Sequence, residues 1–483
     1  MPAMNSTKNR NYYLHTLVYL MLTFGIGYLP AFGQVTPMGM KIVGIFIGVI
    51  YGWIFIELIW PSIFSMIALA LMGYDSIAAI FTAGFSYYLV PILIMCYLIS
   101  YIFERSKASE YVASWLVSRK ILIGKPFVLA FIILFASQCL GILGGGFAGI
   151  FIMWGMVTSL AKEIGYDRSN GYICFLMATI VPAVIFGDMI LPFKAGPVMY
   201  NGFFTNATGL TVNMGKFFVF QMIFVTLFLA ACVLVLKFVL RPEVGQLQTT
   251  DDRFGYLRNQ TMTKDQKIGF AFLIGYIGLL IAPSILPKTF FLTKLISSMG
   301  GVLGVTAFMV ILGAVLRKSD GSSFCDIQKA SDGISWSVIW LIIATIPLTS
   351  ALQNNEYGIM PTIMGFLTPL LGEMNPTLFC ICCMILMALI TQVVHNLILA
   401  IVFIPIFCNM SISMGGNPYV CYIMIYWALT LAFSTPAASM NAAIMHGNEW
   451  VAGKKAYIYG LLYMVIGCLI LIVVGVPLLN VFF

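Results

Sequence analysis

The sequence predicts an all-α polytopic membrane protein of about 11 transmembrane helices plus two re-entrant hairpins, in two inverted-topology repeats. Three observations predict it. Only 9% of the 483 residues are charged while 61% are hydrophobic, and the mean hydropathy is +1.00. Apolar windows long enough to cross a bilayer recur along the chain. Two long apolar stretches, one in each half, carry polar centres.

A soluble domain averages about 25% charged residues, so this chain cannot cover a water-exposed surface; its outer solvent is lipid. A spanning helix needs roughly 20 apolar residues and satisfies its own backbone, which hydrocarbon cannot do. Runs such as Phe217 to Leu236 and Tyr457 to Leu479 lack the alternation of a β-barrel strand. The net charge of +8 reads as orientation signals on loops. No basic cluster sits on a soluble domain, so no nucleic-acid partner is expected. Eleven cysteines lie mostly in apolar runs, where cysteine packs as a small hydrophobe. Cys380, Cys382 and Cys383 have no matching Cys/His pair, so no metal site is expected. Polar Met1 to Asn11 precedes the first span without a cleavable signal pattern.

The first span is placed at about 12–32. The apolar stretch 40–72 is expected to break at Trp60-Pro61, and 85–103 forms the next span. Residues 104–125 make a polar, basic segment. Residues 127–160 read as a re-entrant hairpin, because Ser137-Gln138 and Gly144-Gly145-Gly146 occupy their centre. The span at 171–205 is broken by Asp188, Pro192, Lys194 and Pro197; 216–240 is whole. A cytoplasmic linker, 241–267, separates repeat 1 (40–240) from repeat 2 (268–483), and residues 1–39 precede both. Repeat 2 holds spans at 268–286, 295–316 and 335–352, an outer loop at 353–375, and a second re-entrant hairpin at 375–413 centred on Thr391-Gln392 and His395-Asn396. A span broken at Ser434-Thr435-Pro436 follows at 418–446, and 457–481 ends the chain.

Charge supports this layout. With a cytoplasmic N-terminus and both hairpins re-entrant, the inner segments hold Lys8, Arg10, five basic residues in 104–125, Lys162, Arg168, six in 237–267, Arg317, Lys318, Lys329, Lys454 and Lys455, which is 20 of the 25. That asymmetry is what the positive-inside rule demands. It puts the chain in a cell (inner) membrane as a multi-pass protein with its C-terminus outside. The halves also share an order of features. Phe85-Ser86 and Trp336-Ser337 open spans 251 apart (337−86), and Ser137-Gln138 and Thr391-Gln392 lie 254 apart (391−137). Five spans and one hairpin per repeat is an odd number of crossings, so the second copy enters from the opposite face, the signature of a secondary transporter.

A helix interrupted in mid-membrane exposes N–H and C=O groups that are tolerated only in a protected or wet cavity. Half-helix N-termini attract anions, and free carbonyls hold cations. The candidate substrate ligands are Ser137, Gln138, Gly145, Lys194, Thr391, Gln392, His395, Asn396, Thr435, Pro436, Ser439 and Asn441. Asp188, Asn396 and Ser434 are the candidate cation-coupling groups, for Na+ or H+, with no other cofactor. Lys194 faces an anionic substrate, pairs with Asp188, or snorkels to an interface. His395 either binds and titrates or is a hydrogen-bonded structural residue. Glu57 reads as a structural hydrogen-bonding group.

These features resemble the divalent anion/sodium symporter family of the ion transporter superfamily. Trp53, Glu57 and Pro61, followed by an apolar run to Gly73-Tyr74, are similar to that family's Trp/Glu/Pro segment with slightly wider spacing. Asn396, in His395-Asn396-Leu397 ten residues before Pro405, stands for the Asn of the family's Ser-Asn-Thr hairpin tip. Phe433 to Ala438 resembles its Thr-Pro-rich motif. The first hairpin and the first broken span depart from the family pattern. The resemblance implies a small anionic substrate such as a dicarboxylate, Na+ coupling, a homodimer, and elevator-like motion of a hairpin-bearing domain. A passive anion channel or a membrane-embedded enzyme is the alternative, although no Gly-x-Ser-Gly string occurs and Gly187-Asp188 lacks the first glycine of Gly-x-Gly-Asp.

Overall fold

The computed structural model describes residues 6–119, 122–144, 146–248, 261–371, 374–436, 438–451 and 453–483. Among them there is no β-strand, only one isolated bridge between Arg317 and Ser323. Seven helices are long and apolar enough to cross a membrane, or up to nine if each of two bent pairs is one span. Large apolar side chains such as Met21, Ile311 and Val473 lie on the outside, as a lipid solvent requires. The chain is an all-α polytopic membrane protein.

It folds as two compact units, Met1–Ile94 with Ile334–Phe379, and Met95–Gly333 with Cys380–Phe483. In the first unit, helix Trp336–Gln353 packs on Ile59–Leu71 and Ile77–Phe85. Small residues allow that approach: a Cβ on Gly84 would sit 2.4 Å from the Ile343 carbonyl oxygen. Trp53 Nε1 donates to Ser62 Oγ at 2.9 Å.

Four expectations are corrected here. The break in 40–72 falls at Ile56–Leu58, where Glu57 accepts the Trp60 N–H. Trp60-Pro61 instead opens helix Ile59–Leu71, since a first-turn proline loses no hydrogen bond. Phe85 closes the short helix Ile77–Phe85, whereas Trp336 opens one, so those two dipeptides are not equivalent. The stretch read as an outer loop at 353–375 contains helix Ile359–Leu371. The span read at 295–316 is bent by 89° between Phe291–Ser298 and Val302–Val315, where Gly300 and Gly301 adopt φ of +85° and +67°, a region that favours glycine.

The second unit is built around two helix–turn–helix pairs and two broken helices. The first pair is Pro126–Ile142 with Gly146–Ile164, and the first broken helix is Gly171–Asp188 with Ala195–Thr208. The second pair is Pro376–Ile390 with Asn396–Ser413, and the second broken helix is Pro418–Thr430 with Met440–Gly447. Helices Pro126–Ile142 and Gly171–Asp188 cross with backbone against backbone. A Cβ on Gly141 would lie 2.0 Å from the Val184 carbonyl oxygen, and one on Gly187 would lie 2.2 Å from that of Gln138. Small residues at such a crossing are how membrane helices approach closely.

Overpacking costs about 1–3 kcal/mol, so Gly187→Val is expected to lower the thermal unfolding midpoint in detergent by several degrees. Gly155→Ala, with nothing within 4 Å of the added Cβ, is expected to leave it unchanged. Equal midpoints for the two variants would refute the close crossing.

Candidate substrate and ion site

Each broken helix is braced by its own helical pair, through different chemistry. In the first, helix Gly171–Asp188 ends at Asp188 and the chain runs through 189–193 to Lys194, the residue that begins Ala195–Thr208. Lys194 forms an ion pair with Asp188 and donates from Nζ to the Gly141 carbonyl at 2.6 Å. Of the readings open for Lys194, the structure adopts the mutual pair. The Lys194 side chain is 7% exposed and that of Asp188 35%, so the carboxylate is the accessible member.

Ser137 and Gln138 lie in the body of Pro126–Ile142, not at its tip, and both are fully buried. Ser137 Oγ donates to the Ile133 carbonyl at 2.8 Å, the usual way a helical serine satisfies itself. Neither polar atom of the Gln138 amide has a hydrogen-bond partner among the described residues. Gly145 lies outside the described residues; its neighbours Gly144 and Gly146 have φ of +89° and +42°.

In the second half, Gln392 carries the bracing. Its Nε2 donates to the carbonyls of Ala388 at 2.7 Å and Leu431 at 3.0 Å, and its Oε1 accepts the Ser434 N–H at 2.9 Å. The Gln392 carbonyl accepts from Thr435 Oγ1 at 2.5 Å, and Thr391 Oγ1 donates to the Leu429 carbonyl at 3.3 Å. Backbone groups freed by the break are thus taken up by two side chains of the hairpin turn. Ser439 caps the second half-helix, accepting the Ala442 N–H at 3.1 Å while donating to the Ala432 carbonyl at 2.9 Å. Ser434 Oγ is buried without a partner among the described residues. Pro436 is exposed, and Thr435 and Asn441 are half-buried.

His395 and Asn396 begin helix Asn396–Ser413. His395 Nδ1 accepts the Leu397 N–H at 3.3 Å and Asn396 Oδ1 accepts it at 2.9 Å. His395 is exposed and Asn396 half-buried, so the histidine acts as a cap.

The two breaks meet. Tyr426 donates from its hydroxyl to the Met189 carbonyl at 2.9 Å, which ties the second broken helix to the first interruption. Phe186 lies against Phe433 and Trp427, with ring centroids 5.8 and 5.2 Å apart. Gly141 and Tyr426 were not singled out from sequence, and Gly187 only in a comparison with Gly-x-Gly-Asp; the tertiary approach gives all three a role. One sequence signal does mark the halves. Asn170-Gly171-Tyr172-Ile173-Cys174 and Asn417-Pro418-Tyr419-Val420-Cys421 stand 247 apart (417−170), and each asparagine caps the helix it begins. No group of three metal-ligating side chains occurs among the described residues.

A family model described as citrate transporter matches residues 42–432. The chain belongs to the citrate transporter family. Like the symporter family that its motifs resemble, this one lies in the ion transporter superfamily. The chain is 24% identical over 279 residues to sodium-dependent low-affinity dicarboxylate transporter 1 of Caenorhabditis elegans, covering 55% of this chain and 47% of that one. It is 30% identical over 114 residues to the uncharacterized transporter YfbS of Escherichia coli, covering 24% of this chain and 18% of that one. The chain spans less than half the length of these curated relatives. The crystal structure of the Alcanivorax borkumensis YdaH transporter is similar in fold, with a TM-score of 0.55 at 16% identity, covering 83% of this chain and 88% of that one.

Replacing Gln392 by Leu strands the Ser434 N–H, at about 1–3 kcal/mol for a group left without a partner, and removes one of the two donors to the Leu431 carbonyl, which keeps the Phe433 N–H. Gln392→Leu is therefore expected to lower the unfolding midpoint sharply, and Val393→Ala, at an exposed neighbour, to leave it unchanged. A Gln392→Leu protein as stable as wild type would remove the bracing role.

Proposed function

We propose that this chain is a secondary active transporter that carries citrate or a related small carboxylate across the membrane, driven by a Na+ or H+ gradient. The observation that carries the reading is the meeting, in one unit, of two broken helices that are each braced by a helical pair. Substrate is held where the breaks face each other. The N-terminus of Ala195–Thr208 offers the N–H groups of Ala195 and Gly196, which no side chain caps and which favour a carboxylate. The Gln138 amide and Ser434 hydroxyl, both without partners among the described residues, supply neutral hydrogen bonds. Asn396, Thr435 and the carbonyls near the second break form the environment for a coupling cation.

The two helical pairs are re-entrant and the halves are inverted repeats; the recurring Asn-x-Tyr-x-Cys start and the shared pair-then-break order support this. Alternation is elevator-like, moving the unit that holds both breaks, and the protein works as a homodimer. The sodium-dependent dicarboxylate transporter among its relatives supports Na+ as the driving ion.

Purified protein in proteoliposomes is expected to accumulate labelled citrate or succinate above the outside concentration under an inward Na+ or H+ gradient. Equilibration without accumulation would make the protein a channel, and no uptake of any carboxylate would remove the reading. Gln138→Leu separates function from folding. It deletes a buried amide without partners, so stability is unchanged or higher, while the loss of a hydrogen bond to a charged substrate lowers uptake about tenfold or more. Unchanged uptake by Gln138→Leu would remove that residue from the site.

A further inference from the structure

The two breaks differ in charge at corresponding places. Before the second half-helix stands Lys194 in the first repeat and Ser439 in the second. At the first break the hairpin-helix carbonyl of Gly141 and the carboxylate of Asp188 converge on an ammonium. At the second, the hairpin-turn carbonyl of Gln392 is met by the neutral hydroxyl of Thr435. A carboxylate and a main-chain carbonyl near a helix end are oxygen ligands of the kind that hold a small monovalent cation. In the first repeat the protein's own side chain already sits on those oxygens, almost wholly buried.

We propose that the Lys194 ammonium is a tethered cation that fills the ion position of the first repeat, so that a mobile coupling ion binds only at the second. This rests on the cation-coupled reading above. Asp188 is neutralised internally, and the first break stays assembled whether or not ions are present outside. The pair also brings no net charge to the pocket, which leaves the substrate carboxylates to the helix N-terminus and the amides. The second break carries no ammonium and is braced against its hairpin by neutral hydrogen bonds alone. A single free ion then links gradient to substrate.

The test uses full-length protein in detergent and in proteoliposomes, with Na+, Li+ and ethylammonium as the probes. Wild-type uptake is expected to depend on Na+ with a Hill coefficient of about 1. Lys194→Ala uncovers Asp188 and the Gly141 carbonyl. Ethylammonium or Na+ is then expected to raise its unfolding midpoint by several degrees beyond their effect on wild type, and Na+-dependent uptake becomes steeper. Lys194→Gln, which fills more of the space, serves as a second variant should the alanine protein fold poorly. Asp188→Asn/Lys194→Gln is expected to lose the added cation response. A wild-type Hill coefficient of about 2, or Lys194 variants with no added cation response, would overturn the tethered cation. The thermal measurement needs no transport, so it separates failure of this proposal from failure of the transporter reading. If wild type accumulates no carboxylate, the function falls; if it accumulates but the variants ignore cations, only the role of Lys194 falls.

Discussion

A peptide group in hydrocarbon has no water to turn to, so every interruption of a membrane helix must find partners within the protein or line a wet cavity. Among the described residues, two interruptions in the second unit lie beside a helix–turn–helix pair, and they meet the demand in two ways. At the first, Lys194 closes the break by joining Asp188 to the carbonyl of Gly141. At the second, one amide side chain, Gln392, donates to two carbonyls and accepts one N–H. Glycines at 141 and 187 bring the first helical pair close enough for its carbonyl to be used at all. The contacts between Tyr426 and Met189 and between Phe186 and Phe433 then hold the two breaks to each other.

The site is therefore assembled from main-chain ends and neutral side chains more than from charges. That suits the carboxylate cargo proposed above, which must also be released. A fixed unpaired lysine in low dielectric would bind a carboxylate strongly and pay heavily for its own burial. A helix N-terminus together with amides offers a graded attraction whose strength depends on how the two breaks are aligned. Paired with Asp188, Lys194 instead stabilises the scaffold of the pocket. Gln138 and Ser434, whose buried polar atoms have no partners among the described residues, are the places where the proposed binding can gain a hydrogen bond that folding does not use.

The membrane class was legible because composition alone rules out a water-facing surface. The two polar-centred stretches and the two broken helices were legible because proline, glycine and charge inside an apolar run have few other readings. Local chemistry misled at Trp60-Pro61, where proline opens a helix instead of breaking one. It also misled at 353–375, where a 13-residue helix is too short for a span and was read as a loop. Ser137-Gln138 marks the polar centre of its stretch but lies inside the helix, which continues to Ile142 before Gly144 turns the chain with a φ of +89°. Gly141, Gly187 and Tyr426 act through partners dozens to hundreds of positions away, and hydropathy carries no trace of such contacts. The recurring Asn-x-Tyr-x-Cys start was in plain view, but it lies at helix beginnings that hydropathy does not mark.

The most direct measurement is an electron cryo-microscopy map of the protein in lipid nanodiscs with saturating citrate and Na+. The account predicts ligand density bounded by residues 189–196 on one side and 431–441 on the other, within reach of the Gln138 amide. Citrate density away from both breaks, or a continuous water-filled pore between the two membrane faces, would contradict it.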